Sequence, residues 1–402
     1  MTVHICQLAN FYGPTSGGIR TAIDQLSMRY ALAGHRCSLI VPDARTGVVQ
    51  RPHRTEYRIA APLVPGFGGY RMIVEPALVG ALLEDLRPDV IELSDKSTLL
   101  RPATRARATG AAVVLISHER LDAVLGQRLR WLPGRAGGVV RFNRWIARHV
   151  DAVVAASGFA ASEFDGLIEP GRLRRISLGI DLDDFRPVTK QARLASSREP
   201  GARCPLIVSA VRLSGEKHPG LLVEASRALL AGGIRHRFDV YGDGAMRRRL
   251  EAAARRLPMT FHGHVGDRTT LARAMAEADV AVAPGPHETF GLAALEMLAS
   301  GTPVVVPRSG ALPELVTPGT GAVTAMSGEG FADAIRTLLS GSRDEQRDRC
   351  RARAEQFGWD HTADDLLAIH EAVVDGVPTA GRPGTPDEPA ATDQAAAARS
   401  YL

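Results

Sequence analysis

Two glutamates, Glu288 and Glu296, stand eight positions apart where the sequence pattern changes from strand to helix. The apolar run at 278–284 before them predicts a buried strand, and Gly301 after them is typical of a helix C-terminal cap. Glu288 is therefore expected in a strand-to-helix loop, and Glu296 inside the helix that follows. In a parallel α/β sheet such a loop lies at the carboxyl ends of the strands, where ligands bind.

The beginning of this predicted helix has the chemistry of an anion site. Its first N–H groups, near Phe290, Gly291 and Leu292, are free to hold an anion such as a diphosphate. The carboxylates before and within the helix can each accept two hydrogen bonds from a vicinal diol, which sugars and riboses present. The segment therefore suits a ligand that contains a sugar, a diphosphate and a ribose in a row.

The run E-T-F-G-L-A-A-L-E resembles the signature of retaining glycosyltransferases of family 4, which have the GT-B fold. The alternative is a loop acid and an exposed helix acid that happen to lie eight apart, but the intervening F-G-L and the strand–loop–helix context favour the resemblance. It implies an α/β protein with two facing Rossmann-like domains, parallel sheets and an interdomain cleft. It also implies that Glu288 holds the hydroxyls of a donor sugar and Glu296 the ribose.

Two cations, Arg212 and Lys217, follow a predicted strand at 206–211, and Lys217 is one of only three lysines in the chain. On a strand-end loop they can converge on a diphosphate, the arginine as a fork and the lysine as a point charge. Two unrelated surface cations are the alternative. The run R-L-S-G-E-K resembles the diphosphate clamp of family 4, which implies that the pair stabilises the leaving diphosphate. The pair would take the role of a divalent metal, so no metal site is expected.

Three further site positions follow predicted strands. Gly17 and Gly18 end a turn-rich loop, and G-G-I-R resembles the loop that closes over the donor diphosphate in family 4, with a plain turn as the alternative. His118 follows the predicted strand 112–116, and S-H-E-R resembles the position of a histidine that contacts the donor sugar. A structural or solvated histidine is the alternative there. The run 261–265 ends another predicted strand, and the resemblance to family 4 implies that the backbone there, at Val265, meets the nucleotide base.

The composition indicates a globular protein, with 402 residues, 45% hydrophobic and 23% charged. The sequence contains no apolar run long enough to span a membrane and no pattern of a secretion signal. Its four cysteines show no metal-type spacing, which favours a reducing cytoplasm. The net charge of +5 comes without a nucleic-acid motif, so no nucleic-acid partner is expected.

Apolar runs alternate with helical patterns throughout, which predicts βαβ units and parallel sheets. We expect a Rossmann-like acceptor domain at 1–180, a donor domain at 204–358, a helix at 359–376 that crosses back to the first domain, and a disordered tail at 377–402. The run at 177–187 resembles the family's crossover between domains. The residues Asp181-Leu182-Asp183 within this run also match the D-x-D metal motif of other glycosyltransferases. We favour the crossover because it accounts for more of the neighbouring residues.

The segment Arg128–Arg148 contains six arginines and two tryptophans, and no acidic residue occurs from Ala123 to Val150. One interpretation is a solvated helix with a buried face. The other is a cationic surface that rests on an anionic bilayer. A protein of the second kind would be peripheral at the inner face of the plasma membrane.

Motif matches extend from Gly17 to Trp359, so the resemblance covers both domains. It implies a metal-independent hexosyltransferase that uses a nucleotide-diphosphate sugar and needs no other cofactor. Three runs, N-F-Y-G-P-T-S-G-G-I-R-T-A, I-S-H-E-R-L-D and A-P-G-P-H-E-T-F-G-L-A-A-L-E, resemble actinobacterial mannosyltransferases that act on phosphatidylinositol mannosides. They imply GDP-mannose as the donor and a lipid-linked acceptor. The alternatives are a nucleotide-sugar 2-epimerase on the same fold and a non-catalytic nucleotide-sugar binding protein.

Overall fold

The structure is a computed structural model that describes residues 2–13, 17–65, 69–122, 135–188 and 204–376. The chain separates into two compact units. One consists of Met1–Ser177 together with the chain from Trp359 onward, and the other is Leu178–Gly358. The tail predicted to be disordered, 377–402, lies outside the described residues.

The first unit is built on an eight-stranded sheet with the order β3-β4-β2-β1-β5-β6-β7-β8. All neighbouring strands are parallel except the β3–β4 hairpin. The central strands β1 and β6 are buried along their whole length, and β6 is apolar from Ala112 to Ile116, as expected for a strand that is covered on both faces. The strands are β1 His4–Leu8, β2 Arg36–Asp43, β3 Gly47–Arg51, β4 Arg54–Ala60, β5 Val90–Leu93, β6 Ala112–Ser117, β7 Ala152–Ala155 and β8 Leu173–Arg175.

Helices cover the sheet of the first unit. The core that contains Leu8, Ile91 and Leu115 also takes in Val79 and Ile146 from two of these helices. The helices are α1 Gly18–Leu32, α2 Pro76–Leu86, α3 Leu100–Ala106, α4 Arg135–His149, α5 Gly158–Ala161 and, from the end of the described chain, α13 Trp359–Gly376. No helix among the described residues is both long and apolar enough to cross a membrane.

The second unit has a six-stranded sheet, all parallel, with the order β11-β10-β9-β12-β13-β14. Its strands are β9 Leu206–Ala210, β10 Arg237–Tyr241, β11 Met259–Gly263, β12 Val280–Val282, β13 Val304–Pro307 and β14 Gly321–Thr324. Its helices are α6 Gly220–Ala231, α7 Arg247–Ala253, α8 Arg268–Glu277, α9 Leu292–Ala299, α10 Leu312–Leu315, α11 Gly328–Leu339 and α12 Arg343–Ala354. The predicted parallel α/β architecture is confirmed.

The sequence pattern missed the β3–β4 hairpin and helix α12. Both strands of the hairpin are rich in polar residues, and β3 is only half-buried or exposed, so neither forms an apolar run. Helix α12 is strongly polar, with five arginines in 12 residues, and buries only Arg347, Cys350 and Ala354. The sequence therefore shows no apolar stripe with a helical period there.

Candidate functional site

The residues Lys217 and Glu288 meet in the second unit at a point where the direction of the strand order changes. From β9 the chain proceeds to β10 and β11 on one side, and then returns to β12 on the other side of β9. Lys217 lies in a short 3₁₀ turn after β9, and Glu288 lies in the loop after β12. The Lys217 Nζ donates to Oε1 of Glu288 over 2.6 Å, and each side chain is 27% exposed. Such a switch point at the carboxyl ends of the strands is where doubly wound sheets bind ligands.

Close backbone packing holds the loop that carries Glu288. A Cβ on Gly285 would lie 3.2 Å from Oε1 of Glu288, so the small residue makes room for the carboxylate. From the other side, Ala311 N donates to the Glu288 carbonyl over 2.9 Å. Gly310 has φ +84°, and a Cβ there would lie 2.7 Å from the Pro286 carbonyl oxygen. The Glu288 backbone is therefore fixed while its side chain remains half-exposed.

Arg212 is exposed on the loop that also carries Lys217. This loop pairs with the loop after β10, because Leu213 N donates to the Asp243 carbonyl and Met246 N donates to the Leu213 carbonyl, both over 2.9 Å. Gly244 permits this approach, since a Cβ there would lie 2.4 Å from the Leu213 carbonyl oxygen. Both predicted clamp residues therefore stand on one braced loop at the carboxyl edge of the sheet.

The helix after Glu288 begins at Leu292, two positions later than Phe290. The Phe290 side chain is buried and packs edge-on against Phe357 at 6.1 Å, so only its backbone can face a ligand. Gly291 has φ +100°, and a Cβ there would meet the Leu312 side chain at 2.2 Å. The N–H groups of the first helical turn, from Leu292 onward through 294, lack intrahelical acceptors and suit an anion. Positions 293 and 294 were not singled out from the sequence, which placed the helix start too early.

Glu296 lies inside helix α9 and is half-buried, and its carboxyl forms no hydrogen bond or ion pair with any described residue. Burial raises the pKa of its carboxyl to about 7; the positive charge of Arg268 opposes this rise and the negative charge of Asp184 adds to it. Arg268 and Asp184 themselves form an ion pair at 2.9 Å. A carboxyl with this pKa can both donate to and accept from a diol near neutral pH.

Two other predicted features lie on loops of the second unit. Val265 is half-buried in the segment between β11 and Asp267, whose carboxylate caps helix α8 by accepting from Thr269 N and Thr270 N. In the crossover, the Asp181 carboxylate accepts from the backbone N–H groups of Asp183 and Asp184, both over 3.1 Å. Asp181 therefore closes a turn.

Gly17, Gly18 and His118 belong to the first unit. Gly17 is the N-cap of α1 and Gly18 its first residue, and the first intrahelical bond runs from Thr21 N to the Gly17 carbonyl. His118 follows β6 and is half-buried. Burial lowers the pKa of its imidazole to about 4; Glu92 opposes this shift and Lys96 adds to it. The imidazole is therefore neutral at physiological pH and can act as a hydrogen-bond donor and acceptor.

The arginine-rich segment is described from Arg135 onward, within α4, and its earlier part lies outside the described residues. Arg141, Arg144 and Arg148 are exposed and form no ion pair with the described residues. The apolar side chains of Val140 and Phe142, 43% and 37% exposed, lie among them in the sequence. Phe142 stacks on Trp145 with ring centres 6.1 Å apart. The helix therefore presents cationic and apolar groups to solvent together.

The chain resembles known proteins over nearly its whole length. Residues 16–184 match the family described as Glycosyltransferase Family 4, and residues 204–341 match the family described as Glycosyl transferases group 1. A GDP-mannose-dependent alpha-(1-6)-phosphatidylinositol dimannoside mannosyltransferase of Mycobacterium tuberculosis is 42% identical over 91% of this chain and 95% of that protein.

Solved structures show the same fold. The sucrose-phosphate synthase of Thermosynechococcus elongatus superimposes with a TM-score of 0.77 at 20% identity, over 93% of this chain and all of that one. An Anabaena protein in complex with UDP and glucose superimposes with a TM-score of 0.69 at 17% identity, over 92% of this chain and 99% of that one. These neighbours confirm the predicted GT-B architecture of two parallel-sheet α/β domains.

Proposed function

This chain is a hexosyltransferase of glycosyltransferase family 4, and we propose that it transfers mannose from GDP-mannose, with retention, to a phosphatidylinositol mannoside or a related glycolipid. The observation that carries the proposal is the Lys217–Glu288 pair at the switch point of the second unit. The donor and acceptor classes are those of the Mycobacterium tuberculosis mannosyltransferase that is 42% identical.

Negative charge develops on the leaving diphosphate as the bond to the sugar breaks. Lys217, Arg212 and the first N–H groups of α9 all stand at the carboxyl edge of the same sheet, where they can stabilise that charge. Preorganised donors of this kind give the largest single contribution in many enzymes. We assign the main role to Lys217. The negative charge on the leaving diphosphate is larger in the transition state than in the bound substrate, so a cation that contacts the diphosphate lowers the barrier.

Glu288 is proposed to bind the hydroxyls of the mannose. In the structure its Oε1 accepts a hydrogen bond from Lys217, and both side chains are part-exposed. A bound nucleotide sugar can therefore replace this contact, with its hydroxyls on Glu288 and its phosphate on Lys217. The carboxyl of Glu296 would form hydrogen bonds with the ribose diol, and the neutral imidazole of His118 would form one with the mannose. We see no need for a covalent nucleophile, because the leaving phosphate can take the proton of the acceptor hydroxyl on the same face.

Metal independence is part of the proposal. The cations Arg212 and Lys217 supply the positive charge that a divalent ion supplies in other folds, and Asp181 of the D-x-D sequence is engaged in a turn. We expect full mannosyl transfer in EDTA. Activity that disappears on chelation and returns with manganese or magnesium would contradict this.

Donor choice is tested by thermal unfolding of the full chain with GDP, UDP and ADP and their sugars. A ligand at about 100 times its Kd stabilises by about 2.7 kcal/mol. We expect the largest rise in Tm with GDP-mannose or GDP, and radiolabelled mannose transfer to a purified phosphatidylinositol mannoside. A larger response to UDP or ADP sugars would overturn the donor assignment.

A glycolipid acceptor requires the protein to reach a membrane surface, and we propose that α4 provides the contact. Its three exposed arginines face no acidic partner among the described residues, and each contributes about 1 kcal/mol near an anionic leaflet. The exposed Val140 and Phe142 can enter the headgroup region. Binding of this strength is reversible and weakened by salt.

Liposome sedimentation tests this contact. We expect binding to anionic vesicles, little to neutral ones, and loss in the variant R141E/R144E/R148E. The matched control R248E/R249E/R255E makes the same charge change on exposed arginines of the second unit and should retain binding. Equal loss in both variants would indicate a general charge effect, and normal binding by the first would remove α4 from the membrane contact.

A further inference from the structure

A second lysine–glutamate pair is buried in the first unit, beside His118. The Lys96 ammonium contacts the Glu163 carboxylate, and the two side chains are only 4% and 2% exposed. Lys96 follows β5, and Glu163 lies in a short 3₁₀ turn after α5. The Lys96 ammonium also lies 4.8 Å from the centre of the Phe164 ring.

Both members of the pair bond to the backbone that follows His118. Lys96 Nζ donates to the Glu119 carbonyl over 2.9 Å, and Glu163 Oε1 accepts from Leu121 N over 2.6 Å. Arg120, between them, donates to the Phe159 carbonyl over 2.6 Å. Three successive residues after His118 are thus attached to the end of β5 and to the α5 segment.

A buried pair of this kind is not explained by stability alone. Removing two charges from water costs several kcal/mol per ion, and apolar replacements of buried pairs are often neutral or stabilising. Burial lowers the pKa of the Lys96 ammonium, and the nearby Glu163 opposes this shift. The hydrogen bonds that the two charged groups make to the loop after His118 are local and directional, and they point to a role in that loop.

We propose that Lys96 and Glu163 are positioning residues that hold the His118 imidazole in place for the donor sugar. This rests on the proposed function, because it takes His118 as the sugar contact. A hydrogen bond to a sugar hydroxyl requires placement within a few tenths of an ångström, and a misplacement of about 1 Å can cost about 100-fold in rate. Charge-assisted hydrogen bonds between the loop backbone and the side chains of Lys96 and Glu163 restrict the movement of the loop. The positive Lys96 also helps to keep the imidazole neutral.

The test combines stability, kinetics and NMR on the full chain. Lys96→Met or Glu163→Gln alone leaves one charge buried without its partner and should lower Tm. The double variant K96M/E163Q removes both charges and should recover most of that loss. We expect its kcat for mannosyl transfer to remain about tenfold to 100-fold below wild type, because the Glu119 carbonyl has lost the hydrogen bond from Lys96.

A control and a second background separate positioning from general damage. Arg107→Met breaks the Arg107–Asp151 pair near the opposite end of β6, where Asp151 accepts from Val113 N, and should change kcat little. In a His118→Ala background, K96M/E163Q should reduce kcat by less than twofold further, since the effect passes through His118. An unchanged kcat in the double variant, or the same loss with and without His118, would overturn the proposal.

The imidazole signal gives a readout that does not depend on the substrate. The His118 resonance, identified by its absence in His118→Ala, should shift and broaden in K96M/E163Q and not in Arg107→Met. An unaltered resonance would refute the positioning role whatever the enzyme transfers. A shifted resonance in a protein that does not use GDP-mannose would refute the proposed function and leave the positioning role standing.

Discussion

Each of the two sheets has one switch point with an acidic residue at the carboxyl end of a strand, but the two acids are in opposite situations. In the first unit, between β1 and β5, Asp95 is 8% exposed and accepts from Asn10 N over 2.8 Å and from Ser97 N over 3.1 Å. In the second unit, between β9 and β12, Glu288 is 27% exposed and pairs with Lys217.

The difference lies in which contacts a ligand can replace. The bonds to Asp95 come from backbone and neighbouring side chains of its own fold, and Asn10 extends them by donating to Ser97 Oγ and by accepting from Ile73 N over 2.9 Å. Burial raises the pKa of Asp95, opposed by these hydrogen bonds. By contrast, a part-exposed lysine can leave its carboxylate for a phosphate. We therefore call the switch point of the first unit closed, because its acidic residue is held by hydrogen bonds within the fold. We call that of the second unit open, because a ligand can replace its ion pair.

The largest loss of activity should follow from removal of the cation at the open switch point. Lys217→Ala removes the charge that meets the leaving diphosphate, so we expect kcat to fall by about 10²–10³, the range found for loss of one preorganised donor. Tm should barely change, because a part-exposed pair contributes only about 0–1 kcal/mol. Steady-state transfer assays and thermal unfolding measure the two quantities. Near-normal turnover would remove Lys217 from the mechanism.

Glu288→Gln should have the next largest effect. The amide keeps the shape of the side chain and removes its charge, so the sugar hydroxyls lose a charge-assisted acceptor. We expect kcat/KM to fall about 100-fold with an unchanged fold, measured against wild type under the same donor concentrations. A fall in Tm of several degrees without loss of turnover would show that Glu288 is structural, as Asp95 is.

Asp95→Ala should give the opposite pattern at the closed switch point. Several donors lose their buried acceptor, which costs about 1–3 kcal/mol of stability. We expect chemical denaturation to show this loss while the folded fraction keeps most of its donor affinity. A variant that keeps wild-type stability but cannot bind donor would reverse the assignment of the two switch points.

The sequence allowed prediction of the open switch point better than of the closed one. Glu288, Lys217 and the helix after them belong to short runs whose residue types and spacing are visible locally. The Asn10–Asp95 contact joins positions 85 apart and depends on how β1 pairs with β5. The Lys96–Glu163 pair joins positions 67 apart. No local pattern carries such information, because it arises only when the sheet is assembled.

The smallest effect concerns Glu296, which lies in the helix after the Glu288 loop and forms no ion pair with a described residue. Its folded-state pKa of about 7 lies above the usual value for a carboxyl. The folded protein therefore binds the proton more tightly than the unfolded chain. The resulting stabilisation is complete below the unfolded-state pKa and is lost as pH rises through about 7.

Because Glu296 is half-buried, solvent screening limits this contribution to about 1 kcal/mol. Glu296→Gln should therefore flatten the pH dependence of the unfolding free energy between pH 4.5 and 7 relative to wild type. Denaturant titrations at several pH values measure both slopes. If Glu296→Gln unfolds with the same pH dependence as wild type, the pKa of Glu296 is not raised in the folded protein, and this prediction is wrong.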